Sequence, residues 1–469
     1  MGSEETSKMS EKTINSNNHT SDAKDKKYNG TKMLQPPRKV YTQRNSVLTD
    51  LMEVNHLQSV YNIMVATFGL LLLYSILYYI AAPDVFWADI EIMKWATSKG
   101  FILIKSWLLC NLFAVVVLGE FRGWVHVRNK IHTKIADTLF LVLYIATLTS
   151  MFVVTASSTL KHSLPPITAF VTMIEQVRIF MKIYSFVRES TPRVLKYKPT
   201  KDGDQSAQLY PSLSHYLYYL FAPVMIYRDS YPRRKDTDWM FVFQTLFKFF
   251  ACIFIAYCAF MRFIVDIFQY TALRQFSLAE CALIFAGATF VGATMMFLVF
   301  YCVLHSWLNF FAEMIKFGDR EFYQDWWNST SFSQYYRKWN LVVHDWLYNY
   351  IYVETQKLGF NRTFSMITVF LVSALVHEYI IGLALGFFYP VLMVIYSTVG
   401  VVIMFVTQRR TGQMWNILMW GMLFSGWGVI VCLYGSEWYA RVNCPGSQDP
   451  VEDFFRPRSW NKSCRIIKF

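Results

Sequence analysis

His377 is the residue whose type and position in this sequence most directly suggest chemistry. It lies about fourteen residues into an apolar run that begins near Thr363, so in a membrane-spanning helix it would lie on the order of 20 Å deep. Glu378 follows it, and an ionisable pair at that depth typically marks a transport pathway or a reaction centre. An imidazole titrates near neutral pH and can remove a proton from a hydroxyl. The alternative is a neutral buried histidine that a neighbouring helix satisfies.

A second polar group precedes this histidine. Its members are Gln334, Arg337, Asn340 and His344. Their spacing of three, three and four residues predicts that they lie along one face of a helix. An interfacial amphipathic helix with a solvated polar face fits the spacing equally well.

Just upstream, a seven-residue stretch combines an acid, two amides and four aromatic rings. It reads Phe322-Tyr323-Gln324-Asp325-Trp326-Trp327-Asn328. Solvated loops seldom contain so much tryptophan, so we expect the stretch to pack at the membrane face and to form part of a site.

The elements that must position these residues are membrane spans. Hydrophobic residues make up 54% of the 469-residue chain and charged residues only 16%, against about 25% charged in an average soluble protein. This composition excludes intrinsic disorder, a disulfide scaffold and a soluble multidomain enzyme. The apolar runs predict about nine transmembrane helices, near residues 61–82, 101–120, 138–160, 165–187, 239–263, 281–311, 363–388, 390–407 and 412–435.

One of these runs, 165–187, is less apolar than the others. It carries Glu175, Arg178 and Lys182 at spacings of three and four. These charges share one helical face, so we expect that face to contact protein or a water-filled cavity.

The distribution of basic residues predicts the orientation in the membrane. The net charge is +13, and most Lys and Arg residues fall in the connections that follow even-numbered spans. By the positive-inside rule the N-terminus is then cytoplasmic, and an odd number of spans places the C-terminus on the lumenal side. The positive charge needs no nucleic-acid partner to account for it.

Composition also divides the chain into three parts. Residues 1–50 are rich in Ser, Asn, Thr and Lys and predict a disordered cytoplasmic tail. Residues 51–436 form the multi-spanning domain, and residues 437–469 form a polar lumenal tail. In an oxidising lumen Cys444 and Cys464 of this tail can form a disulfide, and two free thiols are the alternative.

Several common catalytic motifs are absent from the sequence. It contains no GxSxG, HExxH, paired CxxC or GxxxxGK[ST] pattern, so a serine hydrolase, a zinc protease and an ATP-driven pump have no support. We expect neither a metal nor a cofactor.

Several motifs together resemble the membrane-bound O-acyltransferase family, in its branch of sterol and diacylglycerol O-acyltransferases. They are the 322–328 stretch, the overlapping Trp327-Asn328-Ser329-Thr330-Ser331, Trp339-Asn340 with His344-Asp345-Trp346, and Val376-His377-Glu378-Tyr379. Other stretches are similar to the sterol members, namely 185–189, 227–232, 388–390, 437–441 and 457–460. The resemblance runs from about Leu51 to the C-terminus.

This resemblance implies an all-α, multi-spanning protein of the endoplasmic reticulum membrane, a homodimer or homotetramer with a buried reaction chamber. It implies transfer of a long-chain acyl group from acyl-CoA to a sterol 3-hydroxyl, with His377 as base and Asn340 holding the thioester carbonyl or its oxyanion. Acyl-CoA contacts carry over to Gln334, Arg337, Asn340, His344, Tyr352, Arg362 and Ser373, and a sterol contact carries over to His56.

Two other functions remain open at this point. Because His377 and Asn340 would serve any hydroxyl, the acceptor could be diacylglycerol or a fatty alcohol. In a different class, the protein could be a sterol or lipid transporter in which His377 and Glu378 form a proton-linked site. The 227–232 stretch and the Cys444 and Cys464 tail favour a sterol acceptor.

Overall fold

The computed structural model describes residues 39–128, 130–197, 209–273 and 276–460, and these residues form helices joined by short connections. Seven helical stretches within these ranges are long and apolar enough to cross a membrane, namely Asn55–Ala81, Pro83–Arg128, Thr133–Lys161, Trp239–Phe268, Leu278–Met314, Arg362–Leu385 and Gln413–Asn443. The same ranges contain no strand, only isolated bridges between Arg44 and Asp319 and between Arg233 and Phe317. The chain is an all-α, multi-pass membrane protein.

Three of these stretches are composite. The second stretch consists of the helices Pro83–Ala96 and Gly100–Arg128. The fourth consists of Trp239–Ala259, the π-helical turn Phe260–Ile264 and Val265–Phe268. The fifth consists of Leu278–Val299, the π-helical segment Phe300–Trp307 and Leu308–Met314. A shorter apolar segment is built in the same way from Val391–Ile395, the π-helical turn Tyr396–Gly400 and Val401–Thr407. These elements correspond to eight of the nine predicted spans.

The ninth predicted span lies within a 31-residue helix, Pro166–Lys196, which we call the polar helix. Arg178 forms an ion pair with Glu175 at 2.8 Å, and its Nη1 donates to the carbonyl oxygen of Leu220 at 2.8 Å. The ammonium group of Lys182 is buried and donates to the carbonyl oxygens of Tyr219 and Ala222 at 2.6 and 2.7 Å. The prediction that these charges face protein is confirmed.

The remaining elements are short. They are Val47–Leu51, Leu213–Phe221, the 3₁₀ turn Trp326–Asn328, Phe332–Trp339, Leu341–Leu347, the π-helical turn Tyr348–Tyr352, Val353–Lys357, Pro450–Phe455 and the 3₁₀ turn Arg458–Trp460. The main hydrophobic core joins the Gly100–Arg128 helix and the polar helix to residues 322–335. The segments between residues 317 and 357 therefore pack on the bundle instead of forming a solvated loop.

Helix Arg362–Leu385, which we call the histidine helix, has a defined beginning and end. The side-chain oxygen of Asn361 accepts from the main-chain N–H of Phe364 at 2.8 Å, as an N-terminal capping residue does. Gly386 ends the helix in the left-handed conformation with φ +75°, which glycine adopts without a steric penalty. The turn that follows returns the chain to Val391 beside the same helix.

Small residues bring the last long helix, Gln413–Asn443, close to the Leu278–Val299 helix. A Cβ at Gly292 would lie 3.1 Å from the main-chain carbon of Trp427, and one at Gly428 would overlap Thr289. Glycine at such crossings lets two membrane helices approach closely.

Residues 39–46, which we call the basic strap, are ordered. Arg44 forms ion pairs with Asp319 at 2.8 Å and with Glu321 at 2.7 Å, and Lys39 forms one with Asp345 at 2.8 Å. The predicted disordered tail is therefore wrong for residues 39–50, because charged and aromatic contacts fix this part of the chain. Residues 1–38 lie outside the described residues.

At the other end, the last long helix continues to Asn443, beyond the predicted boundary at residue 436. The buried carboxylate of Glu437 accepts from Arg441 Nε at 2.7 Å and from the main-chain N–H of Arg458 at 2.9 Å. These bonds fix the segment after the helix, which the sequence analysis assigned to the polar tail. Cys464 lies outside the described residues, and its pairing with Cys444 stays a prediction.

Candidate active site

The orientation of the His377 ring is set by its own helix. Nδ1 lies 2.7 Å from the carbonyl oxygen of Ser373, so the Nδ1–H group donates and Nε2 carries the lone pair. Ser373 Oγ is 3.5 Å from the same nitrogen. A neutral imidazole held in this tautomer presents Nε2 as a proton acceptor.

The two residues that follow His377 anchor the histidine helix in different directions. The buried carboxylate of Glu378 accepts from the main-chain N–H groups of Leu392 and Met393 at 3.1 and 3.2 Å and from the hydroxyl of Tyr434 at 2.8 Å. The hydroxyl of Tyr379 donates to Gln176 Oε1 of the polar helix at 2.7 Å. His377 thus extends from a helix that is fixed on both sides.

His377 itself is accessible, and it shares one helical face with Ser373 and Phe370, which precede it by four and seven residues. This face lies toward Tyr396, whose ring is edge-on to the imidazole with centroids 6.0 Å apart. The accessible imidazole of His377 therefore faces the space beside the π-helical turn that begins at Tyr396.

Asn340 is brought toward the same space through Tyr336. The Tyr336 ring packs edge-on against Phe370 at 4.9 Å and lies 6.4 Å from the ring of Tyr396. Asn340 comes four residues after Tyr336. Within the described residues no hydrogen bond joins Asn340 to His377.

The structure corrects the expectation that Gln334, Arg337, Asn340 and His344 lie on one continuous helix. The chain breaks at Asn340, where φ is −143° and ψ is 89°, between the helices Phe332–Trp339 and Leu341–Leu347. Asn340 Oδ1 accepts from the main-chain N–H of Val343 at 3.2 Å and so caps the second helix. Because the cap uses the carbonyl oxygen, the amide NH₂ remains as the group that can donate to a ligand.

Residues 322–328, which we call the aromatic motif, pack inside the protein and hold Asn340 from both sides. The main-chain N–H of Gln324 donates to the carbonyl oxygen of Lys338 at 2.9 Å, and that of Leu341 donates to the carbonyl oxygen of Phe322 at 2.9 Å. These two bonds flank Asn340, and Lys338 also forms an ion pair with Asp325 at 2.8 Å.

Trp326 forms the centre of the aromatic motif. Its side chain is buried, and its ring lies 4.6 Å from that of Trp339, 5.0 Å from Phe300 and 5.4 Å from Trp420. Phe322 and Tyr323 are buried as well, and the hydroxyl of Tyr323 lies 2.7 Å from Nδ1 of His305. The motif is thus a packing core beneath the site.

The C-terminal end of the aromatic motif is also held by hydrogen bonds. Asn328 closes the motif with a hydrogen bond from its main-chain N–H to the carbonyl oxygen of Asp325 at 3.1 Å. The carbonyl oxygen of Trp327 accepts from the side chain of Asn416 in the last long helix at 2.9 Å.

The candidate acyl-CoA residues Gln334 and Arg337 differ in their surroundings. Gln334 Oε1 accepts from the main-chain N–H of Thr330 at 3.1 Å, so this oxygen stabilises the start of the Phe332–Trp339 helix. Arg337 is exposed, and Nε donates to the carbonyl oxygen of Ser333 at 3.2 Å. No acid within the described residues forms an ion pair with Arg337, so its charge is available to an anion.

His344 and Tyr352 lie on one line of stacked rings with Tyr348 between them. The His344 and Tyr348 rings stack with centroids 6.1 Å apart, and the Tyr348 and Tyr352 rings stack at 5.3 Å. Nδ1 of His344 is buried without a hydrogen bond and lies 3.6 Å from Asp345 Oδ1. Arg362 is exposed at the start of the histidine helix, and no described acid forms an ion pair with it.

Asp345 connects this ladder of rings to the basic strap. Burial alone would raise the pKa of Asp345, but the neighbouring His344 and the ammonium group of Lys39 outweigh it and hold that pKa below its usual value. The carboxylate is therefore charged at neutral pH and fixes the strap beside the Leu341–Leu347 helix.

His56 is not brought to His377 by the described contacts. It is exposed near the start of the Asn55–Ala81 helix, which packs on the Trp239–Ala259 and Pro83–Ala96 helices. Its role as a sterol contact stays a prediction.

Sequence reasoning missed Tyr336, Tyr348 and Tyr396. The i, i+4 spacing that links His344, Tyr348 and Tyr352 is visible in the sequence and could have identified Tyr348. Tyr336 and Tyr396 reach the site only because separate segments pack together, and no local sequence pattern indicates this packing.

Comparison with known proteins places the chain in a family. The model of the membrane-bound O-acyltransferase family, MBOAT, matches residues 56–436. Sterol O-acyltransferase 1 of Mus musculus is 38% identical over 449 residues, which cover 92% of this chain and 81% of that protein. Sterol O-acyltransferase 2 of Rattus norvegicus is 38% identical over 428 residues, covering 90% and 81%; that of Homo sapiens is 37% identical over 427 residues, covering 90% and 80%. With a match over most of its length and a histidine presented inside a helical bundle, this chain belongs to the membrane-bound O-acyltransferase family.

Proposed function

We propose that the protein is an acyl-CoA-dependent sterol O-acyltransferase, which transfers a long-chain acyl group to the 3-hydroxyl of cholesterol or a related sterol. The observation that carries the chemistry is the 2.7 Å contact between His377 Nδ1 and the carbonyl oxygen of Ser373, because it leaves Nε2 as a proton acceptor. The sterol acceptor is supported by the relatives, whose names assign them sterol O-acyltransferase activity.

The reaction requires no covalent acyl-enzyme, because the thioester is already activated. Nε2 of His377 takes the proton from the sterol hydroxyl while that oxygen attacks the thioester carbonyl carbon. The amide NH₂ of Asn340 donates to the oxygen that gains negative charge. When the tetrahedral intermediate collapses, the carbon–sulfur bond breaks, and the proton on His377 passes to the thiolate of CoA. The products are sterol ester and CoA.

The cationic residues support an entry route for CoA. Arg337 and Arg362 are exposed and have no described acidic partner, and guanidinium groups bind phosphate through paired hydrogen bonds. The stacked rings of His344, Tyr348 and Tyr352 offer a flat surface to a planar base. In this proposal Gln334 supports the segment that carries Arg337, whereas Ser373 fixes the tautomer of His377.

We place the enzyme in the endoplasmic reticulum membrane with its N-terminus in the cytosol and its C-terminus in the lumen. The excess of Lys and Arg in one set of connections supports this orientation, and it puts Arg337 and Arg362 on the cytosolic side. We also propose a homodimer or homotetramer, as the family resemblance implies. Protease protection of tagged termini in sealed microsomes and light scattering of the detergent-solubilised protein test these two statements.

The test of the acceptor uses membranes that contain the chain, labelled oleoyl-CoA and a panel of cholesterol, diacylglycerol and long-chain alcohols. Cholesterol ester as the main product supports the proposal. Labelled triglyceride or wax ester as the main product overturns the sterol assignment, and acceptor-independent sterol movement with no ester would indicate a transporter.

A further inference from the structure

We propose that Glu378 is a positioning residue, which holds the imidazole of His377 in place through the segment that begins at Val391 and carries Tyr396. The proposal rests on the role of His377 as the base. It assigns Glu378 no part in proton transfer.

The contacts of the Glu378 carboxylate are made to other segments and not to His377. Its side chain is only 1% exposed, and both of its oxygens are used as acceptors. Oε2 accepts from the consecutive main-chain N–H groups of Leu392 and Met393, and Oε1 accepts from the hydroxyl of Tyr434. The donors come from two segments, so this single carboxylate ties the histidine helix to the 391–407 segment and to the last long helix.

The tied segment returns to His377 within one helical turn. Tyr396 follows Met393 by three residues and begins a π-helical turn. Its ring meets the imidazole edge-on, with centroids 6.0 Å apart and an interplanar angle of 78°. The contacts therefore form a closed path from His377 to Glu378, along residues 392–396, and back to His377.

This closed path of contacts restricts a rotation of the imidazole that the hydrogen bond to Ser373 leaves free. The hydrogen bond from Nδ1 sets the tautomer and anchors one edge of the ring, but rotation about that bond still moves Nε2. The Tyr396 ring limits this rotation, and Glu378 holds Tyr396 at a constant distance from the helix axis. Small displacements of a reacting group cost large factors in rate, so loosening the path should lower kcat.

A proton relay from His377 to Glu378 is the competing role. Adjacent residues on a helix point in directions about 100° apart, and the described donors to the carboxylate are Leu392, Met393 and Tyr434 and not the imidazole. A relay would make the pH dependence of kcat change when the carboxylate is replaced. The positioning role predicts a lower kcat at every pH with a profile of unchanged shape.

The experiment compares four variants in the full-length protein. Glu378→Gln removes one acceptor oxygen, Tyr434→Phe removes one donor, Tyr396→Leu removes the ring, and Tyr396→Phe keeps it. Glu280→Gln is the matched control, because its carboxylate also accepts from a main-chain N–H at a helix start, that of Ser277 at 2.7 Å. For each variant kcat, both KM values and the pH profile are measured.

We expect Glu378→Gln and Tyr396→Leu each to lower kcat about tenfold or more, with KM values within about twofold of wild type. Tyr434→Phe should have a smaller effect, since two donors to the carboxylate remain. Tyr396→Phe should restore most of the rate lost with leucine, and the double variant Glu378→Gln/Tyr396→Leu should be less impaired than the product of the single effects. Glu280→Gln should match wild type.

A readout that does not depend on turnover separates failure of this proposal from failure of the proposed function. Diethyl pyrocarbonate modifies neutral imidazoles, and mass spectrometry gives its rate at His377 relative to the exposed His132. We expect the relative rate at His377 to change about twofold or more in Glu378→Gln. If His377→Ala is inactive but Glu378→Gln keeps wild-type kcat and reactivity, the proposal is overturned while the base remains. A changed pH profile for Glu378→Gln would also overturn it.

Discussion

Tyr336 and Phe370 pack edge to face with their ring centroids 4.9 Å apart. Tyr336 lies four residues before Asn340, and Phe370 lies two turns before His377 on the face that carries the imidazole. This one contact joins the segment that carries the amide to the helix that carries the base. Under the proposed function, it brings the segment of the amide donor and the helix of the base together without a direct hydrogen bond between them.

Replacing His377 with alanine should lower sterol ester formation by about 10² to 10⁴-fold, the range that a general base contributes. The measurement is transfer of labelled oleate from oleoyl-CoA to cholesterol in membranes with equal amounts of protein. Equal thermal unfolding of the two detergent-solubilised proteins serves as the control for folding. Wild-type turnover in the folded variant would remove His377 from the mechanism.

Asn340→Asp separates the two tasks of Asn340. An aspartate oxygen can still cap the Leu341–Leu347 helix, but the donor to the developing oxyanion is lost and a like charge takes its place. We expect kcat to fall by about 10²-fold or more with little loss of stability. Ser331→Ala is the matched control, because it removes the cap of the Phe332–Trp339 helix, at a cost of about 1 kcal/mol, without touching an amide donor. Equal kcat values for Asn340→Asp and wild type would contradict the assignment.

Arg337→Gln and Arg362→Gln should each raise the KM for acyl-CoA about tenfold, since a charge-assisted hydrogen bond contributes roughly 1.5 to 3 kcal/mol. The KM for sterol should stay unchanged, and the dependence of acyl-CoA KM on salt should weaken. Lys134→Gln, another exposed cation, is the control. An unchanged KM for acyl-CoA in both arginine variants would place the CoA phosphates elsewhere.

Trp326→Ala should destabilise the protein by about 3 to 5 kcal/mol, as expected for removal of a buried tryptophan. Its ring contacts Trp339, Phe300 and Trp420, so the cavity would lie against Trp339, the residue that precedes Asn340. Thermal unfolding in detergent measures the loss. Trp87→Ala, at a side chain that is 62% exposed, should change stability far less, and equal effects of the two substitutions would contradict the packing role.

The basic strap should be released by acid. The pKa of Asp345 is held below its usual value, so its ion pair with Lys39 stabilises the folded strap fully above about pH 4, the ordinary aspartate pKa, and is lost as the pH falls below it.

Cleavage by pepsin near Tyr41 between about pH 4 and pH 2 measures this release. Lys39→Gln should shift the onset of cleavage to higher pH, and Asp345→Asn should make the strap cleavable already at the top of that range. Lys94→Gln, at an exposed ion pair with Glu91, should behave as wild type. A pH-independent rate in the wild-type protein would show that the ion pairs do not hold the strap.

Much of the fold could be predicted because the bilayer imposes long apolar helices, and their runs are visible in composition alone. The polar helix was predictable for the same reason, since Glu175, Arg178 and Lys182 share a face. The true extent of the ordered chain before residue 50 was not predictable. The contacts of Arg44 with Asp319 and Glu321 that order it join parts of the chain that are far apart in sequence.

The candidate site likewise contains some features that the sequence predicts and others that it does not. His377 stands out because a histidine within an apolar run is costly. The break of the helix at Asn340 is not visible in the sequence, because the spacing of polar residues continues across it. Only the hydrogen bond from the N–H of Val343 to Asn340 shows that Asn340 caps the second helix. The partners of Glu378 come from residues 392, 393 and 434, and single-sequence periodicity carries no information about such distant neighbours.

The aromatic motif and the segment that carries Tyr396 support different residues of the proposed site. Trp326 packs against Trp339, and main-chain bonds of the motif flank Asn340, whereas the ring of Tyr396 meets the imidazole of His377. Under the proposed function, the amide donor and the base are thus held by parts of the chain that are separate in sequence. A substitution in one of these supports can therefore disturb one reacting group while the other keeps its place.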